Sequence, residues 1–168
     1  MRTLADLCKP RVSVFDKARL DTVYNLDDLP TIDPDEFLSE NFVTEGMRVL
    51  LTEAFNRLEG KTTSASGTFL LSQSMGGGKT HNLITLGLLA RFPKYRKRVM
   101  ADFFKPGELG AVTVVSFSGR KTSTPFGIWG EVAEQLNRKA VFNEFYSPLK
   151  PPDPNRWVEL LRGEPVLI

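Results

Sequence analysis

Thr68-Phe69-Leu70-Leu71-Ser72-Gln73-Ser74-Met75-Gly76-Gly77-Gly78-Lys79-Thr80 runs from an apolar, strand-like stretch into three consecutive glycines. A largely apolar segment, Leu83 to Leu89, follows at once and can carry a helix. The order strand, glycine loop, Lys-Thr and helix predicts a cradle for phosphate. Glycines let the backbone curl so that successive N–H groups point at phosphate oxygens. The start of the next helix adds its own unpaired N–H groups and the positive end of its dipole. In such a cradle the backbone from Ser74 to Thr80 holds the β-phosphate, Lys79 balances the β/γ charge, and the Thr80 hydroxyl holds Mg²⁺.

The general pattern is G-x-x-x-x-G-K-[ST], and Gln73 stands where its first glycine belongs. The strict remainder, Gly78-Lys79-Thr80, arises by chance in roughly one chain in twelve of this length, so the tripeptide alone decides nothing. The bland alternative is a glycine-rich turn between a core strand and a core helix, with Lys79 merely solvated. Three adjacent glycines are costly in chain entropy unless the backbone must approach something closely, which favours phosphate. The candidate binding residues are Ser74, Met75, Gly76, Gly77, Gly78, Lys79, Thr80 and His81, with Thr80 as metal ligand and ATP and Mg²⁺ as cofactors. His81 either touches the nucleotide or is an ordinary buried or helix-surface histidine; a single histidine without a partner motif leans to the second. No catalytic residue is assigned.

Composition sets the frame. The 168 residues suffice for one domain with a real core, and 25% charged and 41% hydrophobic residues describe an ordinary globular chain. With 22 basic and 20 acidic residues the net charge is only +2, giving no general case for nucleic-acid or membrane binding. Cys8 is the lone cysteine, so no internal disulfide forms. The N-terminus lacks the long apolar core of a secretory signal, and no apolar run approaches the ~20 residues of a membrane span. The cytoplasm is the default expectation.

Around the glycine loop the chain reads as helices and strands in alternation. Asp33 and Pro34 form a cap and first position for a short helix through Phe37 and Leu38. Thr44 caps an amphipathic helix whose Met47, Leu50, Leu51, Ala54, Phe55 and Leu58 share one face, ended by Gly60. Lys94-Tyr95-Arg96-Lys97-Arg98 is a local basic cluster, better read as a solvated face than as a nucleic-acid contact. Ala111-Val112-Thr113-Val114-Val115-Ser116-Phe117, β-branched and apolar on both faces, suits a central parallel strand. Phe126 to Gly130 leads another helix with Val132, Ala133 and Leu136 inward. Asp153 and Pro154 start one carrying Trp157, Leu160 and Leu161, stopped by Gly163. Trp129 and Trp157 read as core anchors; Arg120, just past the second strand, is either near a phosphate or partner or, by default, a solvent-facing loop residue. Strands separated by helical segments predict an α/β layered domain.

Pro165-Val166-Leu167-Ile168 begins like another buried strand and stops. In P-loop proteins a later apolar strand ends in an acid that supports Mg²⁺, and no strand-borne acid stands upstream here. The expectation is an N-terminal piece cut before its metal-binding and catalytic acids.

Several segments resemble a bacterial and archaeal family of large AAA-like P-loop ATPases, catalogued as the domain-of-unknown-function 499 family. They are Cys8-Lys9-Pro10-Arg11-Val12-Ser13-Val14-Phe15, Phe42 to Met47, Ser74 to His81, Phe117 to Arg120, Gly127 to Gly130 and Gly163 to Pro165. Gln73 matches the family's Gln-x-Met-Gly-Gly-Gly-Lys-Thr-His form of the loop. The resemblance spans nearly the whole chain. It implies an α/β fold, a P-loop NTPase (AAA-like) parallel sheet flanked by helices, incomplete because the chain stops early. Residues 1–60 would be an N-terminal helical or linker region, and 61–168 the first part of the ATPase domain. A central strand between the loop strand and the one starting at Pro165 would be absent, leaving Phe69 and Leu71 at an open apolar edge.

The implied function is an ATP-binding module of an ATPase, the piece itself not expected to hydrolyse ATP. Family members are often encoded beside DNA methylases, which implies a DNA-related or phage-defence system with DNA or a methylase as partner, no membrane, and an oligomer as one option. Two alternatives stay open. A small-molecule kinase shares the loop and helix but requires an arginine-bearing lid and an acceptor pocket. A non-enzymatic interaction domain would use the glycine loop structurally.

Overall fold

The computed structural model describes residues 24–61, 65–72, 76–121, 123–147 and 149–168, together with Thr3, Cys8 and Ser74. The resemblance segment from Cys8 to Phe15 otherwise falls outside the described residues, as do Gln73 and Met75. Seven α-helices are assigned among the described residues. They are α1 (Pro34–Glu40), α2 (Glu45–Leu58), α3 (Lys79–Arg91), α4 (Arg96–Met100), α5 (Gly127–Gln135), α6 (Asn143–Tyr146) and α7 (Pro154–Leu160). Two strands, β1 (Thr113–Val114) and β2 (Val166–Leu167), pair in parallel with Thr113 opposite Val166 and Val114 opposite Leu167.

Local chemistry starts three of the helices. The Asp33 carboxylate accepts from the N–H groups of Asp35 (2.8 Å) and Glu36 (3.5 Å), with Pro34 at the first position of α1. Thr44 caps α2 through the Met47 N–H at 3.3 Å. Asp153 caps α7 through Asn155 (2.8 Å) and Arg156 (3.3 Å), again with proline following. After α2 the chain turns at Gly60, whose φ of +81° is a left-handed value that glycine adopts without strain.

The expectation of an α/β, AAA-like P-loop sheet is overturned. Among the described residues about 49% are helical and the sheet has two strands, so the fold is mainly helical. The reason lies in pairing. A strand exists only where its backbone groups find a neighbour. Residues 68–72 keep a strand-like alternation, with Phe69 and Leu71 half-buried against the core and Leu70 89% exposed. Among the described residues, no backbone–backbone bond ties that segment to another element. The predicted strand from Ala111 to Phe117 shrinks for a related reason. Val115 donates to the Leu167 carbonyl at 2.8 Å, on the β2 side. At Ser116, on the opposite edge, the Gln135 amide takes both backbone groups, accepting from N–H at 3.1 Å and donating to C=O at 2.8 Å. A side chain of α5 thus fills the place of a further strand.

The main core gathers α1, α2 and α3 with the segment around Met100 and Phe104, and includes Phe37, Met47, Leu51, Phe55, Ile84 and Leu88. In α3 the residues from Ile84 to Ala90 are all buried, as a helix apolar on nearly every side requires. Gly87 lets other elements come close: a Cβ there would sit 2.8 Å from Leu29 Cδ2 and 3.6 Å from Val114 Cγ1. A second cluster holds Val115, Val132, Ala133, Phe142 and Leu160, with Trp129 and Trp157 packed against it as anchors. No described helix is long and apolar enough to cross a membrane.

Candidate functional site

Helix α3 differs from α1, α2 and α7 at its start. Its N-cap is Gly78, left-handed at φ +76° and ψ +16°, and no side chain caps it. Gly76 is left-handed too, at φ +79°. A Cβ at Gly76 or Gly78 would meet nothing within 4 Å, so packing does not demand glycine at either place; the backbone conformation does. Between them the Gly77 N–H donates to the Ser74 carbonyl at 3.1 Å, closing a turn. The Lys79 ammonium folds back over that turn and donates to the same Ser74 carbonyl at 2.9 Å. Asn82 N–H bonds the Gly78 carbonyl at 2.9 Å, the first rung of the helix ladder.

Ser74, Gly76, Gly77, Gly78 and Thr80 are exposed, and Lys79 is half-exposed. The structure brings these six into one solvent-facing bend at the head of α3; Met75 lies outside the described residues. His81 is directed differently. Its Nε2 lies 2.6 Å from Asn41 Oδ1, and its ring packs on Phe37 with centroids 4.6 Å apart at 31°. Burial there pushes the imidazole pKa below its ordinary 6.5, favouring the neutral ring. Asn41 carries no motif and stands 40 positions away, so nothing in the sequence couples it to the loop.

For a metal, Thr80 offers an exposed hydroxyl at the helix head. Among the described residues no cluster of three or more His, Cys, Asp or Glu could hold an ion. That donor set fits a cation arriving with the phosphates rather than one held by protein alone, as suits Mg²⁺, which keeps several waters and binds phosphate oxygens.

Two clefts lie elsewhere. One of about 350 Å³ is bordered by Asp27, Arg91, Val114, Ser116, Lys121 and Gln135. Its Lys121 is engaged by Glu131 at 2.6 Å, and that partner holds the Glu131 carboxyl below its usual range. The other, about 340 Å³, lies between Leu58–Lys61 and Gly107–Leu109. Neither cleft is bordered by a residue of the bend.

In the basic run from Lys94 to Arg98, Lys94, Lys97 and Arg98 are exposed, as a solvated face requires, and Arg96 alone of the cations is buried. Lys94 and Arg98 stack over Tyr95 at 4.7 and 4.8 Å, and Arg98 pairs with Asp35 at 3.1 Å. Arg96 is only 2% exposed. Arg120 is exposed, as expected.

The family model described as the DUF499 N-terminal domain matches residues 16–99, half of the 168-residue chain and the part that contains the loop. No match was found among curated proteins or among solved structures.

Proposed function

This chain belongs to the DUF499 family, and we propose that its bend from Ser74 to Thr80 binds the phosphates of a nucleotide, ATP with Mg²⁺. One observation carries the reading. Two left-handed glycines, uncrowded by any neighbour, place an ammonium group at the mouth of a turn that heads an uncapped helix. That combination supplies backbone donors, a helix dipole and a point charge to one polyanion. The Lys79 ammonium donates to the Ser74 carbonyl at 2.9 Å. Phosphate oxygens are stronger acceptors for that charge, so Lys79 moves from carbonyl to ligand on binding. Gly76, Gly77 and Gly78 frame the phosphates, and the Thr80 hydroxyl meets the accompanying Mg²⁺.

In the same reading the chain is an ATP-binding module of a cytoplasmic ATPase. DNA or a methylase as partner of the intact system rests on the family resemblance alone.

Thermal unfolding tests the binding. With Mg·ATP at a hundredfold over Kd, linkage gives about 2.7 kcal/mol, which raises Tm by roughly 5–10 °C for a chain of this size. A Tm indifferent to both ATP and ADP would instead favour a structural glycine turn in a non-enzymatic interaction domain.

A further inference from the structure

We propose that His81 is a positioning residue that holds the phosphate bend in its binding geometry, acting through Asn41; this rests on the nucleotide reading above. Three hydrogen bonds close a ring. The Asn41 amide oxygen, 2.6 Å from His81 Nε2, can only accept, so Nε2 carries the proton. Asn41 Nδ2 donates to Thr85 Oγ1 at 3.2 Å, and Thr85 Oγ1 donates to the His81 carbonyl at 2.8 Å. Asn41 is the C-cap of α1, and His81 and Thr85 are one turn apart on α3. The ring therefore clamps the first two turns of α3 to the end of α1.

Phe37 supplies the floor. It is 1% exposed, lies on α1 and stacks under the imidazole. His81 follows Thr80 directly, so fixing its backbone fixes the path of Lys79 and Thr80. A phosphate bend binds well only if its donors are already aimed, and a supporting shell of this kind keeps them so. His81 serves the site from behind, its ring nitrogen spent on Asn41.

The test is calorimetric titration of the chain with Mg·ATP, with far-UV circular dichroism on each variant. His81→Ala and Asn41→Ala each weaken affinity by about tenfold, the coupling expected for residues in one hydrogen-bond network. The double variant is no weaker than either single one. His81→Gln, which keeps an N–H donor at the ε position, recovers most of the affinity. Three results overturn the inference: full affinity in His81→Ala, additive losses in the double variant, or His81→Gln as weak as His81→Ala. The last would make the imidazole itself a ligand. If His81→Ala fails to fold, Asn41→Ala and His81→Gln still decide. Absence of binding by the unaltered chain would sink the nucleotide reading and this inference together, whereas full affinity in His81→Ala sinks this one alone.

Discussion

At the scale of single residues, Gly78 concentrates the demands of the site. Its left-handed φ of +76° both starts α3 and turns the chain toward the Lys79 ammonium. Gly78→Ala meets no steric neighbour, so its cost is conformational, about 1–2 kcal/mol. The expected outcome is a lower urea midpoint together with weaker Mg·ATP binding; an unchanged midpoint would mean the bend relaxes freely. The glycine turn heading α3 was legible in the sequence because its conformational demand is local. The direction of His81 was not, because its partner Asn41 stands 40 positions away and carries no pattern. The solvated face holds for Lys94, Lys97 and Arg98, which are exposed, but not for Arg96, which is buried. Burial of one cation within a basic run depends on which carbonyls the fold brings near, and no spacing rule records that.

At the scale of elements, Arg96 joins α3 to the approach of β1. Its guanidinium donates to Leu89 O (2.8 Å) and Ala90 O (2.7 Å) at the end of α3. It also reaches the carbonyls of Gly110 (2.8 Å) and Leu109 before β1. The planar fork bridges four carbonyls of a helix end and the loop before β1, where Ala90 O also accepts from the Val112 N–H at 3.0 Å. Arg96→Met should lower stability by at least ~3 kcal/mol, and Arg96→Lys should recover only part, since an ammonium cannot span that fork. Chemical denaturation of both variants checks this; equal stability of the two would deny the fork its role. The helices themselves were readable from Asp33-Pro34, Thr44 and Asp153-Pro154, since a cap and its helix lie within a few residues. The strands were not, because a ladder needs a distant partner. Residues 68–72 kept the period of a strand without acquiring its pairing, and Gln135 took the Ser116 edge.

At the scale of the whole molecule, α3 is the axis. It carries the bend at its head, buries residues 84–90 in the main core, and meets β1 near Gly87. The fold's response to pH follows from the group packed at that head. His81 has a folded pKa below its ordinary 6.5, so the unfolded chain binds the extra proton first. Its contribution is intact above pH 6.5 and is lost as pH falls from there through the lowered folded value. Glu131, held down by Lys121, contributes above 4.5 and loses its share only below that. Urea midpoints measured from pH 7.5 downward should therefore fall first just below 6.5, and His81→Gln should remove that first decline while leaving the acidic one. A decline of the same size in both proteins would contradict the assignment.

The claim that bears the rest is that the bend at 74–80 grips phosphate with Lys79. Isothermal titration of the chain with Mg·ATP, beside Lys79→Ala, measures it most directly. The expected result is a saturable single-site isotherm for the unaltered chain and its loss in Lys79→Ala, with both proteins folded by circular dichroism. Equal heats from the two would contradict the account.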